Sequence, residues 1–213
     1  MREFQELTAL VNERFSAYLE MLGGDAPPHR VVFSRRITTS WALIYYRRHL
    51  VRLSPYLFLL EPHELKHRTH WQELDATLRH EAAHAAQFAR TGDVGHTPGF
   101  HVLLRRLGVE ANGGCDLGPE NAAFRYVYAC PACHALWQRR VPLRGNWSCG
   151  VCAPGRYDEA HRMVMLLDMG SPWNRLRAMR HAAVAEAVAE ARAASLRAAP
   201  VRRVAEAAVA LAP

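Results

Sequence analysis

Apolar residues recur three or four positions apart in the first part of the chain, which is the spacing of one helix face. The residues that share this face are Phe4, Leu7, Val11, Phe15, Tyr18 and Leu22. Gly23 and Gly24 end the pattern, and residues 25–28, with two prolines, are typical of a linker. The sequence therefore predicts an amphipathic N-terminal helix that packs one side against a core.

A stretch rich in β-branched and aromatic residues follows, from residue 31 to residue 55. It predicts two or three short strands with a turn near Arg47 and Arg48. A long helical pattern then runs from residue 63 or so to Thr91–Gly92, and another helix follows Pro98. Strands and helices segregated in this way predict an α+β fold with a small antiparallel sheet.

The second half of the chain has a different character. Glycines at residues 111–118 mark a boundary, residues 126–155 hold the short apolar pieces of a β-rich ribbon, and an alanine- and arginine-rich helix begins at Ser171–Pro172. The predicted division is a first domain at 1–112, a ribbon at 113–157 and a helical extension at 158–213. No run of eighteen apolar residues occurs, so a membrane span is not expected.

The charge of the chain is strongly positive, with 27 Lys and Arg against 20 Asp and Glu, a net charge of +7. Nearly all the cations are arginines, which suit phosphate. A nucleic-acid partner and a merely solvated surface both remain open, because charge alone does not decide between them. Glu3, Glu6 and Glu13 stand where a signal peptide would be apolar, so a cytoplasmic location is expected, beside the nucleoid if DNA is bound.

The pattern H-E-x-x-H, which places two histidines on one side of a helix with a glutamate beside them, occurs twice. The copy at residues 63–67 contains Lys66 and begins after a proline, and we interpret its histidines as surface residues because burying an unpaired lysine is costly. The second copy comprises His80, Glu81 and His84. An apolar stripe lies behind it on the same helix, formed by Leu74, Leu78, Ala82, Ala85 and Ala89. This copy is the candidate metal site.

A zinc hydrolase needs three protein ligands and an open fourth position for water. His96 lies in a glycine-rich turn after the helix, where a loop can return it to His80 and His84, and His101 is a backup ligand. A bound zinc lowers the pKa of a coordinated water to about 7. Glu81 would accept the proton of that water and pass it to the leaving amine. One catalytic zinc is therefore expected.

Four of the five cysteines have the spacing of a second metal site. Cys130, Cys133, Cys149 and Cys152 follow the pattern C-x₂-C-x₁₅-C-x₂-C, which is typical of a closed, structural four-thiolate zinc site. A redox pair would need a βαβ context that the sequence does not indicate. So small a segment cannot be held together by burial, so metal binding would supply its folding energy. The remaining Cys115 is interpreted as an ordinary thiol.

The order of these motifs resembles the SprT-like family of zinc metalloproteases, to which the DNA-dependent protease Spartan is related. The motifs are H-E-A-A-H, then G-H-T-P-G-F-H, then C-P-A-C and C-G-V-C. The resemblance covers roughly residues 1–155. It implies that residues 1–112 form a zincin-like metalloprotease domain. It implies that His80, His84 and His96 hold the catalytic zinc and that Glu81 is the base.

The resemblance also implies a substrate class, namely proteins bound or crosslinked to DNA. His101 matches a position that is often histidine in the family, which implies a supporting role around the site rather than a ligand. Gly99 departs from the family pattern, which often has an acidic residue there, and this puts the supporting contacts of the loop in question. Residues 156–213 lie outside the resemblance.

The segment between the two cysteine pairs interleaves aromatic residues with arginines: Trp137, Arg139, Arg140, Arg144 and Trp147. This mixture suits stacking on unpaired bases and contact with phosphates, so DNA, single-stranded or mixed, is an expected partner. The alternative is that the two tryptophans form the small core of the ribbon and the arginines are solvated. The arginine-rich helix beyond Ser171 also has two interpretations. It could bind DNA, or it could dock through Val184 and its apolar neighbours.

The sequence as a whole predicts a zinc endopeptidase that works on DNA-bound proteins. One rival is a nucleic-acid-binding zinc protein without proteolytic activity, which exchange of Glu81 would distinguish. Another rival is a zinc hydrolase of small amides. A protease needs an open groove with a strand edge on which an extended substrate can pair, and a small-amide hydrolase does not.

Overall fold

The computed structural model describes residues 2–60, 62–65, 68–109, 123–176 and 182–195. Within these ranges the fold is α+β, with two separate three-stranded sheets. One sheet lies among the helices of the first domain, and the other lies beside the cysteine cluster. No helix in the described part of the chain combines the length and apolar character needed to cross a membrane.

Helix α1 (Arg2–Met21) buries the apolar face that the sequence predicts. Leu7, Val11 and Phe15 are fully covered in the main core. Asn12 on the same helix exchanges two hydrogen bonds with the backbone of Val31: its amide donates to the carbonyl at 2.8 Å and accepts from the N–H at 2.7 Å. The outer edge of the first strand is therefore occupied by a helix side chain.

The first sheet contains β1 (Arg30–Phe33), β2 (Ala42–Tyr45) and β3 (Leu50–Leu53) in the order β1-β3-β2. β2 and β3 are antiparallel and joined by the predicted turn, a 3₁₀ turn at Tyr46–Arg48. β1 and β3 are parallel, so the sheet is mixed, which corrects the antiparallel sheet expected from the sequence. The reason is that the connection after β1 crosses the sheet and places β2 on the far side of β3.

Helix α2 (His70–Thr91) packs against α1 and β2 and is the scaffold of the first site. Thr69 begins it with a capping box in which its hydroxyl accepts from the Gln72 N–H and its own N–H donates to the Gln72 side chain. Gly92 ends it at φ 76°, a left-handed conformation that glycine adopts without strain. The chain then turns back toward the helix and enters α3 (Pro98–Arg106).

The second sheet contains β4 (Tyr126–Ala129), β5 (Leu136–Arg139) and β6 (Val164–Asp168), all antiparallel, in the order β5-β4-β6. β6 lies beyond the predicted end of the ribbon at residue 157. Because β6 pairs with β4, the sheet of the ribbon extends to Asp168. The predicted boundary at 112/113, and Cys115, lie outside the described residues.

Residues 182–195 form a helix, called here the tail helix, that returns to the first domain. Four of its residues are buried in the main core: Val184, Ala187, Val188 and Ala191. The two ends of the ribbon are also anchored there, because Ala123 and Leu176 are buried in the same core and Arg175 donates to the Phe124 carbonyl. The docking interpretation of this region is confirmed for the described residues.

Candidate metal centres

The first candidate centre is built on α2, where His80 and His84 lie one turn apart. The loop after α2 brings His96 beside them. The Nε2 atoms of the three rings form a nearly equilateral triangle: His80 to His84 is 3.2 Å, His84 to His96 is 3.1 Å, and His96 to His80 is 3.2 Å. These histidines form one of the groups in the described chain that could hold a metal.

The donor set of this triangle fits zinc. Three imidazole nitrogens cannot satisfy one another with hydrogen bonds, because each Nε2 either donates once or accepts. Nitrogens bound tetrahedrally to zinc at about 2.0–2.1 Å stand about 3.3 Å apart. The observed separations of 3.1–3.2 Å are close to that value. Three ligands also leave a fourth position for water, as catalytic zinc sites do.

Phe100 forms the floor under the three imidazoles. Its ring is fully buried, with centroids 5.1 Å from His80, 4.4 Å from His84 and 4.6 Å from His96. α3 places it there, because the Thr97 hydroxyl accepts the Phe100 N–H at the helix start and Pro98 occupies the first turn. This contact packs one side of all three rings, so it restricts their rotation.

Burial sets the protonation of the site. It lowers the pKa of His80 and of His84 to about 4, with a further contribution from the neighbouring imidazoles. Both rings are therefore neutral at neutral pH, the form in which imidazole binds metals. Burial also raises the pKa of Glu81 to about 7, where a carboxyl group can take up and release a proton at neutral pH.

His101 is not part of the triangle. Its ring centroid is 6.3 Å from that of His96, and its Nδ1 is buried without a hydrogen-bond partner. The supporting role that the resemblance implies for it stays a prediction. The other H-E-x-x-H copy begins in a 3₁₀ turn, Pro62–Leu65, ahead of α2. The His63 side chain and all of His67 lie outside the described residues.

Three residues near the site were missed by the sequence reasoning. Phe100 is one, although its place after G-H-T-P is a signal that could have been used. Gln87, buried on α2, contacts the His96 loop, but no spacing rule distinguishes a buried glutamine from an exposed one. Tyr46 stacks on Phe88 with centroids 4.4 Å apart, and burial, followed by the Glu81 charge, raises its pKa.

The second candidate centre joins the four predicted cysteines. Cys130 and Cys152 have their sulfurs 3.9 Å apart, and those of Cys133 and Cys149 are 3.6 Å apart. All four sulfurs lie within 4.8 Å of one another, and all four thiols are free. Sulfurs around a tetrahedral zinc at about 2.3 Å stand about 3.8 Å apart. The cluster therefore fits a closed metal site without room for a substrate.

Backbone amides support two of the thiolates. The N–H groups of Cys133 and Ala132 face the Cys130 sulfur and hold its pKa below the ordinary value. The N–H groups of Cys152 and Val151 lower the pKa of Cys149 in the same way. Each C-x₂-C pair thus makes a turn that favours the charged sulfur, which is the form that binds metal.

The aromatic and arginine residues of the ribbon lie in different surroundings. Trp137 is half-buried and packs against the cysteine core, whereas Trp147 is 45% exposed. Arg140 donates to the Thr38 carbonyl at 3.0 Å and so contacts the first domain. Arg144 is exposed, and Arg139 is half-buried on β5.

Trp147 borders a cavity of about 380 Å³ on the ribbon. The residues that line it are Tyr126, Tyr128, Pro142, Leu143, Gly145, Trp147, Arg162, Met163 and Met165. The cavity thus combines three aromatic rings with one cation.

The fold and the two clusters define an α+β protein with two groups of residues that could hold a metal, and Glu81 follows His80 in the histidine group. The SprT-like family model matches residues 4–117, which is more than half of the chain. The chain therefore belongs to the SprT-like family. No curated protein and no solved structure matches it.

Proposed function

We propose that this protein is a zinc-dependent endopeptidase that acts on proteins associated with DNA. The observation that carries the proposal is the triangle of His80, His84 and His96 nitrogens, with Glu81 directly after His80 on α2. The four cysteines would hold a second, structural zinc. Membership of the SprT-like family supports a metalloprotease-type activity.

The chemistry follows from the donor set. His80, His84 and His96 would hold a zinc ion, which would supply Lewis acidity to the scissile carbonyl and to the attacking water. Glu81 is the proton carrier, which takes the proton of the water and delivers it to the leaving amine. Its raised pKa, near 7, keeps both directions of proton transfer accessible at neutral pH. Phe100 keeps water away from one side of the ligands.

The free edge of β2 supports a polypeptide rather than a small amide as the substrate. β2 is an edge strand that lies against α2, and no strand among the described residues pairs with its outer side. The other edge of the sheet, β1, is occupied by Asn12. An extended chain that pairs with β2 would be held along the helix that carries His80 and His84.

Association with DNA is supported by the ribbon and by the charge. The net charge of +7 favours a polyanion. Trp147 is 45% exposed at the mouth of the aromatic cavity, and Arg144 lies exposed three residues before it. Stacking of an unpaired base on the aromatic rings, with phosphates against arginines, is the mode of sequence-tolerant single-strand binders. We place this activity in the cytoplasm, at the nucleoid.

The experiment compares the wild type with Glu81→Gln on a DNA-binding protein substrate, with and without single-stranded DNA. We expect Glu81→Gln to retain two zinc ions per chain and to lose cleavage by a factor of about 10²–10⁴. DNA is expected to accelerate cleavage by the wild type. Equal rates with and without DNA would remove the DNA association, and DNA binding without any zinc-dependent cleavage would favour a non-proteolytic binding protein.

A further inference from the structure

The loop that delivers His96 has little burial to hold it. Residues 91–96 are all exposed, and Thr97 is only half-buried. Yet the His96 Nε2 lies 3.1 Å from that of His84 and 3.2 Å from that of His80. Phe100 packs against the His96 ring, but apolar packing contributes little to the backbone of an exposed loop, so specific contacts must fix that backbone.

Gln87 makes those contacts. It follows His84 by three residues on α2, and only 3% of its surface is exposed. Its side-chain N–H₂ donates to the Gly95 carbonyl at 2.7 Å and, less closely, to the Asp93 carbonyl at 3.3 Å. Its side-chain oxygen accepts from the Thr97 hydroxyl at 2.6 Å. The bonded groups therefore flank the loop's histidine on both sides.

The chemistry of these three bonds requires an amide. The two carbonyls need a donor each and the hydroxyl needs an acceptor, and a glutamine amide offers two N–H donors and one oxygen acceptor together. A glutamate would retain the acceptor but turn an oxygen toward two carbonyl oxygens. A methionine would fill nearly the same volume without donating to either carbonyl.

We propose that Gln87 is a positioning residue that holds His96 in place for metal binding. The inference rests on the proposed function only in so far as the histidine triangle binds zinc. Gln87 contacts neither the metal nor a substrate. It acts through the backbone on both sides of His96, so that the third ligand need not be ordered when the metal binds.

The test measures zinc affinity of the full-length protein by competition with a chromophoric chelator. Gln87→Met is expected to weaken the histidine site by about 10–100-fold, as loss of groups that orient metal ligands does. Gln87→Glu is expected to weaken it at least as much, because of the facing carbonyls. The four-cysteine site is the internal reference and should keep its affinity. Gln138→Met, at an exposed position on β5, is the matched control.

A second pair of variants covers the case in which Gln87→Met does not fold. Thr97→Val removes the hydroxyl that donates to Gln87 and also accepts the Phe100 N–H, and it should weaken zinc binding. Thr97→Ser retains both hydrogen bonds and should bind as the wild type does. Unchanged affinity of the histidine site in Gln87→Met, or in Thr97→Val where that variant replaces it, overturns the proposal. Equal weakening of both zinc sites also overturns it, because that result indicates a general loss of structure.

The two proposals can fail separately. If the wild type cleaves no protein but its histidine site still depends on Gln87, only the proposed function is wrong. If the wild type binds zinc at the cysteines alone, both are wrong.

Discussion

Arg140 on the ribbon donates a hydrogen bond to the carbonyl oxygen of Thr38 in the first domain, at 3.0 Å, and also contacts the Thr38 hydroxyl. This residue was one of the predicted DNA contacts. One nitrogen of its guanidinium, Nη1, has a partner within the chain, on the connection between β1 and β2. Arg140 and Arg144 are both exposed, and the hydrogen bond to Thr38 is what distinguishes Arg140.

Arg144→Ala should weaken single-stranded DNA binding, and Arg140→Ala should do so much less. Loss of one phosphate contact reduces the slope of log affinity against log salt by about one. We expect the larger reduction for Arg144→Ala, because Nη1 of Arg140 is already bonded to Thr38. Fluorescence anisotropy of a labelled oligonucleotide at several salt concentrations measures the slope. An equal reduction in both variants would contradict the assignment.

Cys149→Ser should remove one zinc and unfold the ribbon. The residue is fully buried, and the small ribbon core has few other apolar side chains to hold it together. We expect the zinc content to fall from two to one per chain and limited proteolysis to cut between residues 130 and 165. Cys115→Ser, at the cysteine outside the cluster, should change neither result. Retention of both zinc ions in Cys149→Ser would show that the four cysteines do not form the site.

Val184→Ala on the tail helix should destabilise the first domain, although the tail helix and the first domain are far apart in sequence. Val184 is 1% exposed in the main core, and removal of two methyl groups from such a position costs about 2 kcal/mol of unfolding free energy. Denaturant unfolding measures the loss. Glu186→Ala, at an exposed position two residues further along the tail helix, is the control and should remain near the wild type. Identical stabilities would mean that the tail helix does not complete the core.

The stability of the protein should fall above pH 10 because of Tyr18. Its hydroxyl donates to the Asp75 carboxylate, and burial, followed by the Asp75 charge, raises its pKa from 10.0 to about 12. Below pH 10 the phenol is neutral in the folded and the unfolded chain, and its contribution is complete. Between pH 10 and about 12 only the unfolded chain releases the proton, so the free energy of unfolding falls by roughly 2–3 kcal/mol.

Tyr18→Phe should not show this component. The difference in unfolding free energy between wild type and Tyr18→Phe should therefore shrink as the pH rises from 9 to 12, measured by urea unfolding at each pH. A difference that stays constant over this range would exclude Tyr18 as the titrating group.

Most of the residues that form the two candidate centres could be predicted because their spacing is local. His80 and His84 are one helical turn apart, and each cysteine pair occupies one short turn, so the sequence itself fixes their proximity. His96 required more, namely a glycine-rich loop that returns to the helix. Gln87 could not be predicted, because its role depends on carbonyl groups of that loop, and backbone atoms leave no signature in the sequence.

Strand direction and the end of the ribbon depend on long-range pairing. β2 lies between β1 and β3 in the sequence but not in the sheet, and alternation of apolar residues carries no information about the relative direction of β1 and β3. β6 is a run of apolar residues that are exposed on an edge strand, from Val164 at 51% to Leu166 at 61%. Such a run does not show the two-residue alternation by which a half-buried strand is recognised.

The ribbon leaves and re-enters the main core at adjacent points, since Arg175 contacts the Phe124 carbonyl. A module attached at both ends cannot swing as freely as one on a single linker. If the ribbon holds DNA, the histidine site stays at a fixed distance and direction from that DNA. The distance between the DNA and the histidine site would then determine where such an enzyme cuts. Fragments from different crosslinked proteins would end at similar distances from the attachment point.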